Sequence, residues 1–218
     1  MSYKIAIDGP AGAGKSTIAK RIARRRNVIY VDTGAMYRAM ALYLIHSQVD
    51  PDDTDAIADA CRYADISIEY RDGEQVVLLN GENVNAYLRT EEVGNMASVS
   101  SAVPQVREKL VELQQALAAK ADVVMDGRDI GTVVLPDADV KVYLTASSRT
   151  RAQRRFLELS EKGITCDLDE IEKDIIDRDY RDMHREHSPL RQAEDAVLVD
   201  SSDMTIDEVV ERIISLCR

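Results

Sequence analysis

The sequence predicts an α/β fold in which helices cover a central parallel sheet, and three observations lead to this prediction. Short apolar, β-branched runs alternate with segments whose apolar residues recur at helical spacing, which is typical of a parallel sheet with helical crossovers. A glycine-rich loop, residues 9–14, separates the first strand pattern from the first helix pattern. Residues 66–79 alternate with a period of two instead, which predicts a small antiparallel insertion.

The individual elements follow from the same patterns in chain order. Within the insertion, Asp72-Gly73 and Asn80-Gly81 predict two tight turns. By pattern alone this insertion is either a substrate-side subdomain or a structural flap. The predicted elements are strands at 3–8, 28–31, 123–125, 140–144 and 196–199, two strands within 66–79, and helices at 15–26, 34–47, 55–63, 104–120, 148–162, 168–184 and from 205 onward.

Composition and charge bound the possible functions. The 218 residues are 45% hydrophobic and 31% charged, which fits one packed domain with an insertion. A net charge of −11 argues against a protein that binds nucleic acid or an anionic membrane surface. No apolar window reaches the length of about 20 residues that a membrane helix needs, and no signal peptide is apparent. We therefore expect a cytoplasmic protein without nucleic-acid or membrane partners.

The glycine-rich loop is the strongest signal in the chain. It matches G-x-x-x-x-G-K-[ST] in full between a predicted strand and a predicted helix, as a phosphate-binding P-loop requires. Lys15 is expected to reach the outer phosphates, and the Ser16 hydroxyl to ligate Mg²⁺. The alternative is a chance glycine-rich turn. The residues expected to bind the nucleotide are Gly9, Pro10, Ala11, Gly12, Ala13, Gly14, Lys15, Ser16 and Thr17.

Two other nucleotide-binding classes fit the loop less well. A dinucleotide fingerprint would need a small residue where Thr17 stands, and it has no place for Lys15 and Ser16. The chain contains no Asn-Lys pair, so the N-K-x-D element that reads guanine in GTPases is missing. ATP is therefore favoured as the nucleotide.

Two further blocks follow predicted strands, at the sheet edge where open α/β folds bind ligands. The block 32–38 places a hydroxyl, a phenol and the Arg38 guanidinium there, which suits an acceptor phosphate. The alternative is a helix cap at Asp32 or Thr33, with Arg38 paired to a surface acid. The block 126–129 offers carboxylates that can support Mg²⁺ and an arginine, although a plain polar turn is the alternative.

Arginine accounts for twenty of the 28 basic residues, and eight arginines lie between residues 149 and 191. The helix pair 148–185 has no strand of its own and is predicted to be a lid. Arg151, Arg154 and Arg155 would share one cationic face that neutralises phosphoryl oxygens. Interleaved acids make a solvated ion-pair surface the alternative.

Four blocks, residues 9–17, 32–38, 126–132 and 188–190, resemble the bacterial-type cytidylate kinases, and the resemblance runs from the first strand to the final helix. It implies a P-loop NTPase fold with three layers and one kinase domain over 1–218. Within that domain, 64–95 would be a nucleoside-monophosphate-binding insertion and 148–185 the helical lid. The implied reaction is ATP-dependent and Mg²⁺-supported phosphorylation of CMP and dCMP by a monomer.

The resemblance also implies site roles at matching positions. The catalytic cations would be Lys15, Arg128 and Arg178, with Arg154 and Arg155 contacting ATP from the lid. Thr33, which replaces a serine of some relatives, and Tyr37 would line the substrate site. The other substrate residues would be Arg38 and Arg128 at the phosphate, Arg178, Asp182 and Arg185 at the sugar or phosphate, and Ser98, Arg107 and Asp129 at cytosine.

Other functional classes stay open at this point. Another small-acceptor kinase of the same fold would share the P-loop and the lid. A nucleotide-gated binding module would hold ATP without transferring its phosphate, but it leaves the acceptor-side arginines unexplained. A nucleic-acid remodelling ATPase would need a basic track, which the net charge of −11 disfavours.

Overall fold

A computed structural model describes residues 2–71 and 73–217. The strands are β1 (Lys4–Asp8), β2 (Ile29–Asp32), β3 (Ile66–Arg71), β4 (Glu74–Leu79), β5 (Glu82–Asn83), β6 (Val123–Gly127), β7 (Val140–Thr145) and β8 (Val197–Asp200). The helices are α1 (Lys15–Arg26), α2 (Thr33–His46), α3 (Thr54–Ala60), α4 (Glu91–Ser100), α5 (Pro104–Ala118), α6 (Ser148–Glu161), α7 (Leu168–His184) and α8 (Ile206–Ile214).

The main sheet has five strands in the order β2-β6-β1-β7-β8. Strand β1 pairs in parallel with β7, and β7 pairs in parallel with β8. The near-continuous apolar character of β1 and β6 is what a strand buried on both faces requires. The predicted parallel sheet with helical crossovers is therefore confirmed, and it brings the carboxyl ends of the strands, where the glycine loop begins, to one edge.

The insertion forms a second sheet of three antiparallel strands in the order β3-β4-β5. Gly73 has a positive φ of 78°, and Asn80 and Gly81 have positive φ values of 50° and 83°, as the tight turns of hairpins demand. Asp72, the other residue of the first predicted turn, lies outside the described residues. The antiparallel insertion predicted from the alternating pattern is confirmed.

Two segments differ from the sequence-based expectation. Helix α4 was not predicted, because Gly94 and several serines weaken its apolar periodicity. Its side-chain cap, Thr90, accepts from the Val93 amide, and the range 64–95 predicted for the insertion ends inside this helix. Residues 130–134 form a short π-helical turn, a conformation for which the sequence carries no signal.

The chain divides into two compact units. The first unit comprises residues 3–28 and 124–217, and the second comprises residue 2 and, of residues 29–123, those that the structure describes. Each has its own core of fully buried side chains. In the first unit these include Ile7, Ile22, Leu144 and Ile213, and in the second Met36, Met40, Leu44, Ile57 and Leu110. The arrangement as one kinase domain with an insertion and a lid stays a prediction.

The two long helices predicted as a lid, α6 and α7, are present in the first unit. Ser147 caps α6 by accepting from the Thr150 amide, and Asp167 caps α7 by accepting from the Asp169 and Glu170 amides. Across the described part of the chain, none of the helices combines the length and the apolar character that crossing a bilayer requires.

Candidate active site

The glycine loop connects β1 to α1 in a conformation that only glycine permits at its first position. A Cβ at Gly9 would lie 1.9 Å from the Leu144 carbonyl oxygen of the neighbouring strand. Gly12 and Gly14 have positive φ values of 75° and 87°, and Gly14 is the N-cap of α1. Because a glycine cap has no side chain, the first amides of α1 remain available to an anion.

Lys15 is buried at the start of α1. Its Nζ donates to the carbonyl oxygens of Gly9, at 2.7 Å, and of Pro10, at 2.8 Å. Burial, together with the nearby positive charge of Arg128, lowers the pKa of Lys15 to about 7. The ammonium group is therefore hydrogen-bonded to the backbone of the glycine loop. Added negative charge at this place would stabilise its protonated form.

Ser16 and Asp126 form a pair of oxygen ligands that suits a divalent cation. The Ser16 hydroxyl donates to the Asp126 carboxylate at 2.9 Å, and Asp126 is buried at the end of β6. Among residues 2–71 and 73–217 there is no cluster of three or more His, Cys, Asp or Glu side chains that could hold a metal alone. A site of this kind fits Mg²⁺, which takes one or two protein ligands and completes its shell with phosphates and water.

Asp8 holds the loop after β6 in place, a role that the sequence-based prediction missed. Its two carboxylate oxygens accept from the Ile130 and Gly131 amides, each at 2.7 Å. Burial raises the pKa of Asp8 to about 6, against the opposing effect of these two hydrogen bonds. A Cβ on Gly131 would lie 3.3 Å from the Asp8 carboxylate, so the glycine permits this close approach. The sequence signal that could have predicted this role is an acidic residue at the end of a buried strand.

Arg128 joins the glycine loop to α7. Its Nε donates to the Asp182 carboxylate at 2.7 Å, and its Nη1 donates to the Gly9 carbonyl at 3.1 Å. Although burial acts in the opposite sense, the positive charges of Arg128, Arg178 and Arg185 lower the pKa of Asp182. Four residues predicted to bind substrate, Arg128, Arg178, Asp182 and Arg185, are therefore within electrostatic range of one another.

Asp129 and the end of α7, where Arg185 lies, also belong to the first unit. Asp129 is buried, with only 4% of its surface exposed, and precedes the π-helical turn. Arg185 follows the end of α7, and its Nε donates to the Ser188 carbonyl at 2.7 Å. This bond ties the helix end to the 188–190 block that contributed to the resemblance.

The expectation that three lid arginines share one cationic face is wrong. Arg151 is buried, donates to the Ala11 and Ala146 carbonyls and pairs with Asp179 at 2.6 Å. Arg154 donates to the Ser201 carbonyl at 2.7 Å and its hydroxyl at 3.2 Å. Arg155 points outward and pairs with Glu158 at 2.9 Å. Helical spacing places positions 151, 154 and 155 side by side on the helix surface, but it does not determine which partner each long side chain reaches.

In the second unit, the start of α2 shows the helix cap and the Arg38 ion pair of the alternative interpretation of the 32–38 block, and the contact with an acceptor phosphate stays a prediction. Asp32 caps the helix by accepting from the Ala35 amide at 2.9 Å, and it also pairs with Arg38 at 3.2 Å. Thr33 is buried, with 3% of its surface exposed. The Arg38 guanidinium is therefore held on the first turn of α2 by an acid of the same block.

In this unit, Ser98 and Arg107, which are expected to read cytosine, lie on α4 and α5, and Tyr37, expected to line the substrate site, lies on α2. The Arg107 guanidinium carbon lies 5.4 Å from the centre of the Tyr37 ring, which is a cation–π contact, and Nη1 donates to the Ser101 carbonyl at 3.2 Å. Ser98 lies on α4, and its own carbonyl accepts from the Ser101 hydroxyl at 2.9 Å. Tyr37 and Arg107 are in contact, and Ser101 connects Ser98 with Arg107.

Comparison with known proteins identifies the family of this chain, which the geometry of the site alone does not. The sequence model of the family described as "Cytidylate kinase" matches residues 5–218. The cytidylate kinase of Lactobacillus gasseri is 54% identical over 210 residues, covering 96% of this chain and 91% of the relative. The cytidylate kinase of Caldicellulosiruptor saccharolyticus is 50% identical over 212 residues, covering 97% of this chain and 94% of the relative.

Solved structures support the fold. Shikimate kinase from Bacteroides thetaiotaomicron superposes with a TM-score of 0.50 at 16% identity, covering 98% of this chain and 97% of that one. An uncharacterized protein from Eubacterium ventriosum gives a TM-score of 0.53 at 14% identity, with 99% and 97% coverage. Similarity at this level of identity identifies the P-loop kinase fold and leaves the acceptor to other evidence.

Proposed function

Because this chain belongs to the cytidylate kinase family, we propose that it transfers the γ-phosphoryl group of ATP to CMP or dCMP, giving ADP and CDP or dCDP. The observation that carries this proposal is the position of Arg128, which contacts both the Gly9 carbonyl of the glycine loop and Asp182 on α7. A cation expected to hold an acceptor phosphate is thus adjacent to the loop that holds donor phosphates. Such adjacency suits transfer between two anions better than storage of one nucleotide.

On the donor side, the loop residues 9–17 would bind the ATP phosphates through their backbone amides. Lys15 would exchange its two carbonyl acceptors for the outer phosphates, whose charge favours the ammonium form of a lysine with a lowered pKa. Arg154 and Arg155 on α6 are the lid cations proposed to contact ATP.

Ser16 and Asp126 would hold Mg²⁺, since their oxygens lie 2.9 Å apart at the start of α1 and the end of β6. Bound there with the ATP phosphates, the ion would supply further neutralisation of phosphate charge. The two side chains hold each other in place before any nucleotide binds.

On the acceptor side, Arg38 and Arg128 would hold the phosphate of CMP, with Thr33 and Tyr37 beside it. An arginine fork suits this task because it donates two parallel hydrogen bonds to phosphate oxygens. The remaining proposed contacts are those of Arg178, Asp182 and Arg185 with the sugar or phosphate, and those of Ser98, Arg107 and Asp129 with cytosine.

In the reaction, an oxygen of the acceptor phosphate attacks the γ-phosphorus, and a new P–O bond forms. The bond from the γ-phosphorus to the bridging oxygen breaks, and its electron pair leaves with ADP. Because the attacking oxygen is already anionic at neutral pH, the step needs no general base. Lys15, Arg128 and Arg178 would neutralise charge on the transferring group, and closure of α6 and α7 would exclude water.

A coupled assay of ADP formation with CMP, dCMP, UMP, AMP and shikimate as acceptors tests the proposal. We expect turnover with CMP and dCMP. Comparable turnover with AMP or shikimate and none with CMP would contradict it and indicate another kinase of the same fold.

The Lys15→Ala variant separates a kinase from a nucleotide-gated binding module. Loss of a cation that contacts the transferring group should lower kcat with CMP by about 100-fold or more. In a binding module, the same variant would change the association with a partner, and the wild-type protein would show no CMP-dependent turnover to lose.

A further inference from the structure

The small antiparallel sheet contacts strand β2 at the residue where the 32–38 block begins. Gln75, on β4, uses both ends of its side-chain amide on the backbone of Asp32. Its Oε1 accepts from the Asp32 amide at 2.8 Å, and its Nε2 donates to the Asp32 carbonyl at 3.2 Å. Tyr70 lies directly opposite Gln75 on β3, and its hydroxyl donates to the Tyr30 carbonyl at 3.1 Å.

These contacts occupy the free side of an edge strand. Strand β2 is the last strand of the five-stranded sheet, so it presents outward backbone groups that no further strand satisfies. Residues 30 and 32 are two apart, so their amides and carbonyls point to the same side of the strand. A glutamine amide offers one acceptor and donors on neighbouring atoms, as a peptide group does, and here it takes the place of the missing strand.

Asp32 passes this constraint to the start of α2. Its Oδ1 accepts from the Ala35 amide at 2.9 Å, which fixes the first turn of the helix, and its carboxylate pairs with Arg38 at 3.2 Å. These groups are closely packed around Gly34, because a Cβ there would lie 3.0 Å from the Arg38 Nη1 and 3.2 Å from the Asp32 Oδ1. A shift of the Asp32 backbone would therefore move the guanidinium.

We propose that Gln75 is a positioning residue for the acceptor phosphate, acting through Asp32 to hold the Arg38 guanidinium in its binding orientation. Gln75 itself touches no substrate. This inference rests on the proposed function, in which Arg38 binds the phosphate of CMP. It assigns to the antiparallel insertion one definite task, which is to fix the end of β2 and with it the phosphate-binding end of α2.

The test is steady-state kinetics of Gln75→Leu, which keeps the approximate size of the side chain and removes both hydrogen bonds. We expect the KM for CMP to rise about five- to tenfold, because a guanidinium free to move loses part of its bidentate contact. The KM for ATP, kcat, and the inhibition constant of cytidine, which lacks the phosphate, should stay within about twofold.

The matched control is Glu69→Gln on the neighbouring strand β3. Glu69 is exposed and pairs with Arg71 of its own strand at 2.9 Å, so its loss should leave every constant within about twofold. Tyr70→Phe is the second variant: it removes one hydrogen bond to β2, and we expect a smaller rise of about two- to threefold in the KM for CMP.

A double-mutant cycle with Arg38→Ala decides whether Gln75 acts through Arg38. In the Arg38→Ala background, Gln75→Leu should raise the KM for CMP no further, because the group that it positions is gone. Three outcomes would overturn the inference. The KM for CMP could be unchanged in Gln75→Leu, the inhibition constant of cytidine could rise as much as that KM, or the KM could rise equally with and without Arg38. If the wild-type protein did not phosphorylate CMP, the proposed function would fail instead, which is a separate result.

Discussion

At the scale of single residues, two cationic side chains of the candidate site donate to the same backbone carbonyl. Lys15 Nζ and Arg128 Nη1 both donate to the Gly9 carbonyl, at 2.7 and 3.1 Å. The charge of Arg128 disfavours the ammonium form of Lys15, and a phosphate placed between them would relieve that repulsion. In the first unit, burial and the nearby Arg128 therefore destabilise the charged form of Lys15, and an anionic ligand would offset this effect.

The lowered pKa of Lys15 predicts that the stability of the protein without nucleotide depends on pH. In the folded protein, burial and the Arg128 charge lower the pKa of Lys15 from 10.5 to about 7, whereas in the unfolded chain it keeps its ordinary value. Between these two values the unfolded state binds more protons, so the contribution of Lys15 to stability rises with pH. We expect Lys15→Met to have a higher free energy of unfolding, relative to wild type, at pH near 7 than at pH near 9.

Urea unfolding of both proteins at the two pH values measures this difference. Lys120→Met, at an exposed lysine, is the control and should show the same offset from wild type at both pH values. An equal offset for Lys15→Met at both pH values would contradict the prediction.

Asp182 provides a second prediction at this scale. Its carboxylate accepts from the Arg128 Nε at 2.7 Å, so Asp182→Asn weakens a charge-assisted bond and lets the guanidinium move. We expect kcat/KM for CMP to fall about 10- to 100-fold, since small displacements of a positioning group are costly. Asp177→Asn, at an exposed position of the same helix, should stay within about twofold. Equal effects of the two substitutions would exclude the role assigned to Asp182.

At the scale of elements, the ion pairs that join α6 and α7 differ in their burial. The Arg151–Asp179 pair is buried, with side-chain exposures of 7% and 11%, and Arg151 also holds the Ala11 carbonyl of the glycine loop. The Arg149–Asp169 pair is exposed, at 48% and 83%. Of these two pairs, the buried one includes a residue that also contacts the glycine loop.

This difference in burial predicts different energetic effects for two similar substitutions. Asp179→Asn leaves the charge of Arg151 uncompensated in the interior and should lower the free energy of unfolding by about 3–5 kcal/mol. Asp169→Asn removes a solvated partner and should cost about 0–1 kcal/mol. Urea unfolding of the two variants in parallel gives the comparison. A loss below about 1 kcal/mol in Asp179→Asn would mean that the pair is not the connection inferred here.

At the scale of the whole molecule, the net charge of −11 coexists with eight arginines between residues 149 and 191 of the first unit. Acidic copies repel one another, so we expect the monomer that the family resemblance implies. Size-exclusion chromatography with light scattering should give a mass near 24.3 kDa in the presence and absence of CMP. A mass of twice that value would contradict the prediction. The cytoplasmic location and the absence of nucleic-acid partners also stay predictions.

Much of the fold was predictable because its signals are local. The alternation of strand and helix patterns, the glycine loop and the turn residues of the insertion depend on neighbours within one or two turns of chain. The right-handed rule for parallel crossovers then leaves few topologies. The exceptions, α4 and the π-helical turn, are segments whose local pattern is weak or has no signature.

By itself, then, the sequence determined the order of the elements, the family resemblance and the residue types offered at the sheet edge. Only the tertiary structure decided which partner each polar side chain takes. Asp8 meets Ile130 across 122 residues, Arg151 meets Ala11 across 140, and Gln75 meets Asp32 across 43. The reason is physical: a buried carboxylate, guanidinium or amide must satisfy its hydrogen bonds with whatever backbone the packing brings near, and that neighbour is fixed by the fold rather than by spacing along the chain.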